Sequence, residues 1–279
     1  NKWDHRQRTT SPALMSEARE AGVKSTLGYW NTRAICEPIR LLLHFVGEEF
    51  TDKRYQVGPP PAYDESEWLD VKNSMDLDIP NLPYYIDESG VRLTQMHAIL
   101  FYLADKHDLN GRSSADIARA VMISEGLRDW INQFFDVTYC NAPWLVDVEP
   151  DVHVESQSQA KAGSPRFLAA SEKYVEESLP VQLSIFSNLL TKSEGGIEGG
   201  TRGPWLLGPY LSFPDFILAE YLMQHLIFRP SCLVGFPALQ DYVNRFRELP
   251  AVSAYLAGEK YQVEPIHNRY SHFHRGWTV

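Results

Sequence analysis

The sequence predicts a chain in two folded parts, a small α/β unit followed by an all-helical unit. Three observations predict it. Strand-like and helix-like segments alternate up to about residue 111. Strand signals then stop, and long helical periods take over after about residue 113. The change falls in Gly111-Arg112-Ser113-Ser114, a stretch of turn-forming residues. The expected organisation is therefore an N-terminal extension at 1–26, an α/β domain at 27–111 and a helical domain at 112–279.

Each element has a local reason. Leu27-Gly28-Tyr29-Trp30 reads as a short first strand. Pro38 suits the first turn of a helix, Ile39, Leu42, Leu43 and Val46 follow the i, i+3, i+4, i+7 spacing, and Gly47 stands where a C-terminal cap belongs. Phe50 to Val57 reads as a second strand, followed by a loop rich in proline (Gly58, Pro59, Pro60, Pro61) and an aromatic, acidic segment through Trp68. Residues 81–86 and 91–94, joined by Glu88-Ser89-Gly90, read as an antiparallel hairpin. Ile99, Tyr102, Leu103 and Lys106 mark a helix expected to end near Asn110-Gly111. Helices are expected at 115–140, 167–191, 214–228, 238–248 and 251–257, with loops at 142–166 and 192–204. Ser212-Phe213-Pro214-Asp215 combines a capping-box spacing with proline at the first helical position, a helix start that serves folding rather than chemistry.

Composition narrows the function. The 279 residues are 44% hydrophobic and 22% charged, as in soluble globular proteins, and the net charge of -10 argues against nucleic acid or an anionic membrane surface as a partner. No apolar run approaches the roughly 18 residues of a membrane span. The three cysteines, Cys36, Cys140 and Cys232, are widely spaced and form neither a disulfide framework nor a metal cluster, which suits a reducing compartment. Residues 1–26 lack the apolar stretch of a secretory signal and carry acids as well as bases; they read as a flexible arm, with Met15 a candidate internal start. His267, His272 and His274 are close in sequence, but without a further ligand they read as a polar tail, and no metal is expected.

Several segments say more than periodicity does. Gly28-Tyr29-Trp30-Asn31-Thr32-Arg33 precedes Pro38-Ile39-Arg40-Leu41-Leu42-Leu43; Asp78 to Asp87 reads DIPNLPYYID; Leu93 to Leu100 reads LTQMHAIL; Pro204-Trp205-Leu206-Leu207-Gly208 precedes the capping box. In this order they resemble the mu class of the cytosolic glutathione transferases, from about Leu27 to Trp277, with the loops 142–166 and 192–204 longer than usual. The resemblance implies a thioredoxin-like first domain, a helical-bundle second domain, a homodimer and a cytoplasmic setting. It also implies conjugation of reduced glutathione, as co-substrate, to small hydrophobic electrophiles, with no permanently bound cofactor.

It assigns roles as well. A free thiol is mostly protonated at neutral pH and only its thiolate attacks well, so a phenol that donates a hydrogen bond to the sulfur favours the reactive form. Tyr29 occupies the catalytic tyrosine position. The bland alternative is a buried aromatic satisfied by a backbone carbonyl. Glutathione contacts match Trp30, Trp68, Lys72, Asn81, Leu82, Pro83, Gln95, Met96 and Asp129. Pro83 matches a cis-proline, and the backbone of Leu82 pairs with the cysteinyl part like an added strand. Gln95 and the residue after it hold the γ-glutamyl end at a helix N-terminus. Asp129 matches the acid that reaches the neighbouring subunit's ligand; the alternative is a solvated helix acid. Ile35, Phe135 and Tyr139, with Val57, Arg128, Asn132, His267 and Asn268, match the electrophile pocket.

The sequence departs from the family twice at the tripeptide. Met96 stands where a serine normally donates to the γ-glutamyl carboxylate, and losing such a bond costs about 1.5–3 kcal/mol, roughly ten- to a hundredfold in affinity. Glu65 stands where an arginine is usual and puts a repulsive charge near a carboxylate site. His97, where asparagine is common, is a candidate compensating donor. Two readings stay open: a transferase, or a protein that has kept the scaffold and serves as a structural or binding subunit of a larger assembly.

Overall fold

The computed structural model describes residues 24–140, 165–195 and 203–273. Most of the expected arm and of the two expected loops, and also His274 and Trp277, lie outside the described residues.

The first half is a four-stranded sheet in the order β2-β1-β3-β4 with helices packed on it. β1 (Ser25–Trp30) runs parallel to β2 (Phe50–Tyr55), from Ser25 opposite Phe50 to Trp30 opposite Tyr55. The parallel crossover between them is α1 (Glu37–Val46). Pro38 lies in its first turn, and Gly47 ends it at φ 70° with its N–H on the His44 carbonyl (3.2 Å) while Glu48 N–H reaches Leu43 (3.0 Å), the left-handed stop that glycine makes cheap. β3 (Tyr84–Ile86) pairs antiparallel with β1, and β4 (Arg92–Thr94) with β3. Gly28 is needed where β1 meets β3: a Cβ there would lie 2.1 Å from the Tyr84 ring.

Two features of this half differ from the sequence reading. The acidic segment after the proline loop forms a short helix, α2 (Ser66–Lys72), too brief for periodicity to reveal. α3 (Met96–Lys106) stops four residues before Asn110, and Asp108 turns the chain at φ 57°.

Among the described residues the second half contributes helices and no named strand: α4 (Ser114–Thr138), α5 (Pro165–Lys173), α6 (Leu179–Gly195), α7 (Phe213–Phe228), α8 (Pro237–Glu248) and α9 (Pro250–Ala257). The helix expected at 167–191 is in fact α5 and α6 joined by a widened turn at Tyr174–Ser178, and α6 continues past 191 to Gly195. Every residue of α7 from Phe213 to His225 is buried, so this helix is the shared core, packed against α4 and, across the boundary, α1. The capping box forms: Asp215 accepts from the Ser212 N–H and hydroxyl (both 2.8 Å) and from Leu206 N–H and Tyr242 (both 3.0 Å).

The C-terminal segment returns over the junction. Arg33 and Ala34 N–H groups donate to the carbonyls of Pro265 (3.1 Å) and Ile266 (2.8 Å), and His272 N–H to Thr138 (2.8 Å). The expected polar tail is therefore a packed one. His267 is fully buried among Phe134, Phe135, Tyr139 and Phe273, and His272 stacks on Phe167. Among the described residues no group of side chains is arranged to hold a metal, and no helix is long and apolar enough to cross a membrane.

Candidate active site

Tyr29 is the next-to-last residue of β1 and is buried. Burial pushes its phenol well above the ordinary tyrosine value, and Tyr139 and Cys36 push the same way, while Arg40 and a hydrogen bond from the Ile35 backbone oppose them. A backbone bond that favours the phenolate is one that the phenol oxygen accepts. Among the described residues no carbonyl or carboxylate takes the phenol's own proton, so Tyr29 is neutral near pH 7 with a donor to spend.

β3 pairs with β1 so that Tyr84 lies opposite Gly28, which brings the start of β3 to the end of β1 that carries Tyr29. The Leu82-Pro83 peptide is cis and brings the chain into β3. The Leu82 N–H, expected to serve the tripeptide, is held at 2.9 Å by the side chain of Asn81, which is exposed. Gln95, also exposed, caps α3 from φ 74°, ψ 122°, a backbone conformation that costs a non-glycine residue about 1–3 kcal/mol and recurs where function demands it. It makes no side-chain cap, so the first amides of α3 stay open to an anion. Trp68 is buried on α2, edge-on to Tyr55 (5.3 Å) and stacked on Tyr84 (6.0 Å); Lys72 ends the same helix, half-buried. Trp30 is half-buried at the tip of β1.

The three departures have physical consequences here. Met96, the first residue of α3, is 4% exposed and packs into the apolar core. Glu65 hydrogen-bonds Tyr270, and burial raises its carboxyl. Tyr270 also stacks on Tyr63 (4.6 Å), and Arg269 donates to the Val57 carbonyl (3.0 Å), so the C-terminal segment fastens the 57–65 loop. His97 turns to α4, where its Nδ1 bonds the Ser124 hydroxyl; burial, then Arg128, lowers its pKa to about 4.

These features agree with a direct comparison. Family models described as the N-terminal and C-terminal domains of glutathione S-transferase match residues 25–105 and 156–259. The chain is 34% identical to human glutathione S-transferase Mu 4 and 36% identical to the mouse Mu 4 protein, in each case over 88% of this chain and 95% of the relative. The chain belongs to the glutathione transferase family. Its fold also matches a solved pi-class glutathione S-transferase of Onchocerca volvulus, with a TM-score of 0.67 and 24% identity over 89% of this chain and all of the other.

Of the residues matched to an electrophile pocket, Ile35 and Phe135 are half-buried and Tyr139 is buried. The Tyr139 hydroxyl accepts the Asn268 N–H at 3.4 Å, and its ring stacks on His267 at 5.3 Å. Arg128 is exposed on α4, paired with Glu125 at 2.6 Å. His267 is fully buried, and burial drives it to a neutral imidazole. Asp129 and Asn132 are exposed on α4. Sequence reasoning missed the Asn81 hold on Leu82 and the Glu65–Tyr270 contact. The first was visible in principle, since an Asn beside a turn readily bonds its neighbour's amide; the other joins distant positions.

Proposed function

We propose that this transferase conjugates reduced glutathione to small hydrophobic electrophiles, with Tyr29 stabilising the thiolate. One observation carries the reading: Tyr29 is buried at the end of β1, and the pairing of β3 with β1 brings the cis Leu82-Pro83 peptide alongside it. The thiol proton leaves to solvent, Tyr29 donates to the sulfur, a C–S bond forms and the leaving group departs with its electron pair. The glycyl carboxylate falls to Trp68 and Lys72, and the γ-glutamyl end to Gln95 and the α3 amides. The chain acts as a homodimer, with exposed Asp129 offered across the interface. The test is conjugation of an aryl halide by the wild type and by Tyr29→Phe. Turnover in the wild type that falls about a hundredfold in the variant fits loss of one oxyanion-type donor; no turnover in either defeats the reading.

A second reading, a scaffold subunit of a larger assembly, draws on Glu65 spent on Tyr270 and on the buried Met96. Calorimetry separates the two, because micromolar glutathione binding excludes a defunct site.

A further inference from the structure

Tyr55 and Tyr84 are both buried, and their hydroxyls lie 3.1 Å apart, bonded to each other. The bond spans a strand. Tyr55 ends β2 and Tyr84 begins β3, and these strands flank β1 on opposite sides of the sheet. Tyr84 stands opposite Gly28, and its ring crosses β1 above that glycine. A Cβ at position 28 would lie 2.1 Å from the ring and 2.7 Å from the hydroxyl. Gly28 therefore leaves the space through which Tyr84 reaches β2.

Trp68 of α2 rests on both rings. It stacks on Tyr84 with centroids 6.0 Å apart and 21° between the planes, and it meets Tyr55 edge-on at 5.3 Å. The tie from β2 to α2 through Glu67 is weaker. Glu67 accepts from the Gln56 N–H at 2.6 Å and pairs with Lys53 at 3.4 Å, but both of its contacts are solvent-exposed, where such pairs contribute little. Phenylalanine at 55 and 84 would fill the same space. Burying two hydroxyls costs their hydration, and the bond between them offsets that cost. What the bond adds is geometry: it holds the two rings in one arrangement, and with them the indole that lies on both.

We propose that the Tyr55–Tyr84 hydroxyl bond positions Trp68 for the glycyl carboxylate of glutathione, so that both tyrosines are positioning residues for the tripeptide. The inference rests on the proposed assignment of that carboxylate to Trp68 and Lys72. Neither hydroxyl is spent on the ligand; both act through the indole. Tyr84 directly follows the cis Leu82-Pro83 peptide, and Gly28 directly precedes Tyr29. The bond thus ties the support of Trp68 to the two segments beside which the thiol is proposed to lie.

The experiment uses the full chain as wild type, Tyr84→Phe, Tyr55→Phe, the two together, and Trp68→Phe. Calorimetry gives the Kd of glutathione and of its glycyl amide, the same tripeptide with a neutral carboxamide in place of the glycyl carboxylate. The ratio of the two Kd values measures the preference for the carboxylate. Each single Tyr→Phe variant is expected to raise the glutathione Kd about three- to tenfold and to leave that of the amide within about twofold, so the preference falls by the same factor. With saturating glutathione, kcat for an aryl halide stays within about twofold, because an interaction lost equally from ground state and transition state raises KM alone. The double variant keeps the same low preference, since each single change already deletes the bond. Both single variants delete that one bond, so either of them that folds suffices. A general loosening of the fold would weaken both ligands together. Equal losses for the two ligands, an unchanged preference, or a double variant with the wild-type preference overturns the role of the pair. If Trp68→Phe keeps the preference, the assignment of the carboxylate to Trp68 fails, and the proposal with it; if the wild type binds no glutathione, the transferase reading fails as well.

Discussion

Arg33 and Glu220, 187 positions apart, form a two-pronged ion pair inside the junction of the two halves, with Nε to Oε1 at 3.1 Å and Nη2 to Oε2 at 2.9 Å. Both side chains are essentially inaccessible, 1% and 0% exposed. Arg33 also donates to the Val263 carbonyl at 3.2 Å, and its guanidinium lies over the Tyr261 ring, so loop, α7 and C-terminal segment meet on one cation. The pair anchors Arg33, the residue that enters the short helical turn Ala34–Cys36 after β1.

Removing one partner leaves the other charged and buried. Glu220→Ala is expected to destabilise by about 3–5 kcal/mol, whereas Arg33→Met with Glu220→Met, which removes both charges, recovers much of that loss. Urea unfolding of the two variants checks this; a single mutant that loses less than the double would contradict it.

The pH dependence of stability follows from three histidines shielded from water, His97 half-buried and His225 and His267 fully buried. Burial chiefly depresses His97 and His225 to about 4 and His267 to about 3. The unfolded chain takes up these protons near pH 6.5, and the folded chain only below pH 4. Between those limits the unfolded state binds more protons, so the histidines cost nothing above about pH 7 and weaken the fold as pH falls, each by about 1.4 kcal/mol per unit. Asp215 works the other way. Burial raises its carboxyl to about 6, so the folded state takes that proton first and offsets about one histidine between pH 6 and 4. The urea midpoint should therefore fall from pH 7 to 5, and His97→Asn should flatten that fall. A midpoint independent of pH over this range would refute the argument.

The start of α7 tests a local signal against its tertiary use. Ser212→Ala removes one cap and should cost about 1 kcal/mol. Asp215→Ala removes the acceptor for the Leu206 N–H, the Ser212 N–H and hydroxyl and Tyr242 at once, so it should cost about 4 kcal/mol, on the order of four lost bonds. Thermal unfolding of the two variants orders them. Equal losses would mean that the box matters only as a cap.

That contrast also marks what the sequence reveals. The box, the stop at Gly47, the cis-proline motif and the break near Gly111 are signals within a few residues of chain, where steric and hydrogen-bond rules act directly. The place of Tyr29 near a strand end was legible for the same reason, within a contiguous motif. The Arg33–Glu220 pair and the Tyr270 hold on Glu65 join positions far apart, and no periodicity encodes them. The histidines near the C-terminus misled because polar spacing resembles a solvated tail, while the fold buries them among aromatic rings as neutral, ring-shaped fillers. The helix at Ser66–Lys72 is two turns long, below the length at which an apolar stripe stands out.

Met96 sets affinity against stability. Its side chain fills core space at the first turn of α3, the turn to which the proposed function assigns the γ-glutamyl carboxylate. Met96→Ser adds a hydroxyl donor at that turn, worth about 1.5–3 kcal/mol to a charged acceptor, so the glutathione Kd should fall roughly ten- to a hundredfold. The same change empties the thioether's volume in the core, and truncations of this size cost about 2–5 kcal/mol. Calorimetry with glutathione and urea unfolding of one variant therefore read opposite signs: tighter binding, weaker fold. Tighter binding without lost stability would mean that the methionine does not pack the core, and lost stability without tighter binding would mean that the tripeptide's carboxylate does not reach the α3 N-terminus.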